Sequence, residues 1–117
     1  MTDVMLVEDE VLVLLDLAEM VESFGLTIHS ECTNLSEGFE ALEQSVPDLA
    51  LLDINVAREH VWPLARELKK RGCRIIFLSA DLSHSELRDE FATCGRVEKP
   101  ATLNDIRAAL QKTSIAA

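Results

Sequence analysis

Leu49-Ala50-Leu51-Leu52-Asp53 is the stretch on which the fold turns. Its four consecutive apolar residues, set off by Pro47, predict a strand buried on both faces, the habit of a parallel sheet covered by helices. An acid closing such a strand is unexpected unless it has a task. The same design recurs on either side. Val4-Met5-Leu6-Val7 runs into Glu8 and Asp9, Ile75-Ile76-Phe77-Leu78 into Ser79, and a short segment around Val97 into Lys99.

Helical patterns fill the gaps between these runs. Residues 3–8 read as the first strand. From Glu10 to Phe24, Val11, Leu14, Leu15, Ala18 and Val21 form an apolar stripe that Gly25 stops. Residues 26–31 read as a second strand. Asn34-Leu35-Ser36-Glu37 resembles a capping box opening a helix with Phe39 and Leu42 facing inward. A third helix is predicted over Glu59–Arg71 before Gly72, a fourth near Ser83–Thr93, and a last one from Thr102 to about Lys112. Trp62 and Phe91 lie on apolar stripes and are expected in the core. Five strands alternating with five helices predict one α/β domain over residues 1–117, a three-layer sandwich around a parallel sheet.

Composition sets bounds on function. At 117 residues, 48% of them hydrophobic and 27% charged, the chain suits one globular core. No apolar run approaches the roughly 18 residues of a membrane span, and Met1-Thr2-Asp3 lacks the basic start of a signal peptide. Cys32, Cys73 and Cys94 have no metal-ligand spacing, and free thiols in a reducing cytoplasm are expected. Residues 1–57 hold 13 acidic residues and no Lys or Arg, whereas residues 58–117 hold all 11 basic residues and 8 acidic ones. An acidic first half argues against nucleic-acid binding, whose affinity comes largely from Lys and Arg on phosphates. His29, His60 and His84 have no spacing for a metal site and are expected at the surface.

The strand ends carry the chemistry. In a parallel α/β sheet the carboxyl ends of the strands share one edge, where ligands bind. Four distant segments therefore deliver Glu8, Asp9, Asp53, Ser79 and Lys99 to one crevice. Two adjacent carboxylates at Glu8-Asp9 repel each other unless solvated or bound to a cation, although the start of a helix also favours acids. Mg²⁺ suits such a pair, because it takes oxygen ligands and is commonly held by one or two carboxylates plus a phosphate. A carboxylate at Asp53 can act as a nucleophile toward a phosphoryl group, Lys99 can neutralise charge on that group, and the Ser79 hydroxyl can bond one of its oxygens.

At Val7-Glu8-Asp9-Glu10, Leu51-Leu52-Asp53-Ile54-Asn55, Leu78-Ser79-Ala80 and Glu98-Lys99-Pro100 the chain resembles the receiver domain of bacterial two-component response regulators. The resemblance covers essentially the whole chain. It implies a flavodoxin-like fold with strand order 2-1-3-4-5, phosphorylation of Asp53 by a histidine kinase or phosphotransfer protein, and Mg²⁺ held by Glu8, Asp9, Asp53 and the main-chain carbonyl of Asn55, with Glu8 acting through a metal-bound water. It also implies a cis Lys99–Pro100 peptide. Such a protein is a signalling component in the cytoplasm, a monomer or weak homodimer acting by protein–protein contact, rather than an enzyme beyond its own phosphorylation and dephosphorylation. Only a short tail to Ala117 follows the last helix, so a freely diffusing carrier without an effector domain is expected.

Two departures from the family pattern bear on output. Ala57-Arg58-Glu59-His60-Val61 replaces the usual Pro and Gly of the loop after Asp53. Arg96 stands where receivers carry an aromatic residue three positions before the Lys; over the fourth helix, it is expected to pair with Glu86, Asp89 or Glu90. That substitution sustains an alternative in which the domain is a pseudo-receiver, an interaction module independent of phosphorylation. Other classes fit worse. A haloacid-dehalogenase-type phosphatase needs a second Asp where Asn55 stands, and a flavodoxin's phosphate loop would be repelled by Glu8-Asp9-Glu10.

Overall fold

A computed structural model of the chain describes residues 2–113. Its elements are β1 (Asp3–Val7), α1 (Val11–Ser23), β2 (Thr27–Cys32), α2 (Leu35–Gln44), β3 (Leu49–Asp53), β4 (Asn55–Val56), β5 (Glu59–His60), α3 (Trp62–Lys70), β6 (Arg74–Ser79), α4 (Ser85–Arg88), β7 (Gly95–Glu98) and α5 (Leu103–Lys112). Five strands form a sheet in the order β2-β1-β3-β6-β7, with every pairing parallel. In this order of appearance that is the flavodoxin-like 2-1-3-4-5 arrangement.

The period-two alternation of the strands divides the core between the two faces. Val4, Leu6, Leu49, Leu51, Ile76 and Leu78 pack with α1 and α5. Met5, Val7, Ala50, Leu52, Ile75 and Phe77 pack with α2, α3 and the α4 region. Burying each of the larger of these side chains contributes roughly 1.5–3 kcal/mol, and between their first and last residues β1, β3 and β6 are wholly apolar. Trp62 and Phe91 are core residues, stacked with ring centroids 5.7 Å apart. Gly38 lets α2 approach α3, since a Cβ there would lie 2.6 Å from a methyl carbon of Leu64.

Three sequence expectations shift. The helix read over 59–71 begins at Trp62, because residues 55–60 form the β4–β5 hairpin. The fourth helix is one turn, Ser85–Arg88, followed by irregular backbone to Cys94. On α1 the buried residues are Leu14, Leu17, Ala18 and Val21, whereas Val11 and Leu15 face outward; on α2, Leu42 is buried and Phe39 largely is not. The helix-entry signals fare unevenly. Asn34 does cap α2 by accepting from Glu37 N–H, but Glu37 returns its carboxylate to Thr33, and the reciprocal box is found at Thr102–Asp105 on α5.

Candidate functional site

β1 and β3 are neighbours, so their carboxyl ends set Glu8, Asp9 and Asp53 side by side. One carboxylate oxygen from each lies within 4.8 Å of those of the other two. Glu8 is fully buried and Asp53 nearly so, while Asp9 is exposed. Lys99 follows β7 two strands away from β3 and reaches across the end of β6. Its Nζ donates to Glu8 Oε1 at 2.6 Å and to Asp53 Oδ2 at 3.3 Å. Its own amide is fixed by Ser79 C=O at 2.9 Å, and the Lys99–Pro100 peptide is cis. Ser79 Oγ, buried at the end of β6, accepts from Asp81 N–H at 3.1 Å.

The electrostatics are those of a site crowded with negative charge. Burial, then the charge of Glu8 and its hydrogen bond, push the Asp53 carboxyl up to about 7, with Lys99 opposing. Burial pulls the Lys99 ammonium down, but the hydrogen bond to Glu8 and the charge of Asp53 outweigh it and leave the group raised. One ammonium thus serves two buried carboxylates, with a third carboxylate at the rim. A small divalent cation that prefers oxygen would relieve this repulsion, and the all-oxygen donor set suits Mg²⁺.

The hairpin is the part of the site that sequence reasoning missed. Ala57 N–H donates to Asp9 Oδ2 at 3.0 Å, so the loop after Asp53 folds back on the acidic cluster. Both loop residues have positive φ, 50° for Ala57 and 68° for Arg58. The usual Asn-Gly signal of such a turn is missing, and no local feature of Ala-Arg announces it.

Comparison with known proteins agrees with this geometry. The family model of the response regulator receiver domain matches residues 4–111. The chain belongs to that family. Among curated proteins this receiver domain is similar to the transcriptional regulatory protein PdtaR of Mycobacterium tuberculosis, 31% identical over 112 residues that cover 92% of this chain and 54% of PdtaR. The chain therefore spans about half the length of the curated relatives it matches. Among solved structures it shares its fold with SdrG from Sphingomonas melonis Fr1 (TM-score 0.82, 24% identity, 98% of each chain). It also shares it with the receiver domain of PhyR from Erythrobacter litoralis (TM-score 0.82, 24% identity, 98% of this chain and 92% of the other). Among the described residues no helix is long and apolar enough to cross a membrane.

Arg96 is where the receiver departs from expectation. It pairs with none of Glu86, Asp89 and Glu90. Its guanidinium donates to four main-chain carbonyls, those of Leu87, Phe91, Ala92 and Cys94, at 2.9–3.3 Å. The reason is the early end of α4. The irregular segment after it leaves carbonyls without helical partners, and a planar five-donor group can gather several at once. Glu90 is taken by Arg66 in a two-pronged pair at 2.7 and 2.9 Å. His60 is exposed as expected, and His29 and His84 are partly covered. His60 and His84 meet with ring centroids 5.5 Å apart against Trp62, an encounter made by two loops far apart in sequence.

Proposed function

We propose that the domain accepts a phosphoryl group on Asp53 from a histidine kinase or phosphotransfer protein, in a Mg²⁺-dependent phosphorelay. The observation that carries this reading is the convergence of Glu8, Asp9, Asp53 and Lys99 at one edge of the sheet, with Asp53 buried at the end of the middle strand β3. An Asp53 oxygen attacks phosphorus, the P–N bond of the phosphohistidine breaks, and the imidazole leaves with the electron pair. Asp53 reacts as the carboxylate, so its raised pKa makes the free site a weaker acid but a more basic nucleophile. Lys99 shifts from the acids to the transferred oxygens, and the Ser79 hydroxyl donates to one of them. Glu8, Asp9, Asp53 and the Asn55 carbonyl would hold Mg²⁺, Glu8 through a water. Bound there, the metal supplies positive charge to the transferring oxygens.

The partner surface in this reading is the face of α1 beside the site. Val11, Leu12 and Leu15 are exposed, and Asp16, Glu19 and Glu22, also exposed, follow them along the helix. An apolar patch continued by acids suits a kinase or phosphotransfer helix that bears basic residues, the charges speeding encounter. The domain would act in the cytoplasm by protein contact, as a carrier of phosphate rather than an enzyme or nucleic-acid binder.

Intact mass after exposure to an acyl phosphate tests the central claim. One phosphate should be gained with Mg²⁺ and none with chelator, and Asp53→Asn should gain none. A full gain in that variant would remove Asp53 from the role.

A further inference from the structure

The β4–β5 turn carries a cation that nothing in the site occupies. Val56 pairs with Glu59, leaving Ala57-Arg58 as a two-residue loop, and both residues adopt the left-handed conformation that favours Gly or Asn. Strain of this kind persists only where neighbouring groups hold it, and it collects at functional sites. Here the holding contact is the Ala57 N–H bond to Asp9 Oδ2, which fastens the turn to the acidic cluster. Arg58 is the next residue, exposed, and the first basic residue of the chain. Among the described residues its guanidinium has no ion pair or hydrogen bond. In the free site Lys99, the other cation of this edge, is paired with Glu8 and Asp53, which leaves Arg58 as the cation open to an arriving phosphate. Glu8, Asp9 and Asp53 otherwise crowd this edge with carboxylates.

We propose that Arg58 is a donor-binding residue, whose guanidinium takes the phosphoryl oxygens of a small anionic phosphodonor, an acyl or amido phosphate, and guides phosphorus to Asp53. A planar, permanently charged fork suits phosphate oxygens, and its long stem starts one residue from the amide that Asp9 holds, at the margin of the acidic cluster. The step balances without a further reagent. An Asp53 oxygen bonds to phosphorus, the bond from phosphorus to the acyl oxygen breaks and the carboxylate leaves with the electron pair, or, for an amido phosphate already protonated on nitrogen, the P–N bond breaks and the neutral amine leaves with it, while Arg58 keeps its protons. This inference rests on Asp53 being the acceptor.

The test is the rate of mass gain against concentration of acetyl phosphate, with Mg²⁺, for the whole chain. Arg58→Gln should lower the second-order rate constant by about tenfold, the loss of one charge-assisted contact, and still reach one phosphate at high donor. Arg58→Glu should lower it further, and Arg58→Lys should recover part of it. Arg58→Gly should melt higher than the parent yet react as slowly as Arg58→Gln, which separates the charge from folding. Parent-like rates in Arg58→Gln and Arg58→Glu overturn the proposal, as does slowing confined to Arg58→Gly, which would trace the effect to the turn. Asp53→Asn distinguishes the two readings: if it still gains phosphate the acceptor assignment fails, and if it gains none while the Arg58 variants match the parent, only the Arg58 role fails.

Discussion

Replacing Asp53 by Asn should stabilise the metal-free protein, and the size of the effect follows from the site. In the folded chain the Asp53 carboxyl is raised from its ordinary 3.8 to about 7, first by burial and then by Glu8. An acid whose folded pKa exceeds its unfolded one holds its proton longer in the native state. Stability is therefore greatest below the unfolded pKa, falls as pH rises through the window from about 4 to about 7, and is level beyond it. The full shift corresponds to about 4 kcal/mol at about 1.4 kcal/mol per pH unit. Part of the shift comes from interactions with Glu8 and Lys99 rather than from burial, so about half of this, ~2 kcal/mol, is assignable to the Asp53 charge alone. Asn keeps the shape and removes the charge. At about pH 7.5 with chelator, Asp53→Asn should melt roughly 8 °C above the parent, given about 4 °C per kcal/mol for a domain of this size. Near pH 5 most of that gap should close, because the parent carboxyl is then protonated. Millimolar Mg²⁺ at neutral pH should narrow it too, by raising the parent. Differential scanning calorimetry or circular dichroism at the two pH values reads all of this. Equal melting of the two proteins at neutral pH, or a gap of the same size at both, would refute the claim that Asp53 is destabilised by burial beside Glu8.

The other expectations are shorter. Lys99→Met leaves Glu8 and Asp53 buried without their ammonium, so urea unfolding at neutral pH should show a loss of about 3 kcal/mol, smaller in acid. Arg96→Met removes four donated bonds and should cost about 1–3 kcal/mol, with hydrogen exchange speeding in residues 87–94 and little change in β1 or β3. The same clamp should hold residues 83–98 nearly unchanged when a phosphoryl mimic binds; large amide shifts confined to that segment would show that Arg96 lets go. Charge reversal at Glu19 and Glu22 should slow phosphotransfer from a cognate kinase at low salt, and an unchanged rate would place docking off α1.

Much of this receiver is legible in one dimension. Runs such as Leu49–Leu52 and Ile75–Leu78 can only be strands covered on both faces, and alternation with helices fixes a parallel sheet whose carboxyl ends coincide. Asp53, Glu8, Asp9 and Lys99 are visible as polar residues closing apolar strands, because charge at those places must answer to something outside the core. What the sequence left ambiguous depends on contacts between distant segments. The outward turn of Leu15 and Phe39 was hidden, since an amphipathic stripe on a short helix tolerates a rotation that only packing against the sheet decides. The hairpin at 55–60 overrode a helical pattern, because Asp9 lies 48 residues away from the amide that it fixes. Arg96 looked like a partner for carboxylates, yet the early end of α4 offered it carbonyls that no linear pattern marks. Local periodicity determined the elements and their order. Tertiary structure decided which hydrogen bonds the polar side chains make, because those partners are set by proximity in space and have no period along the chain.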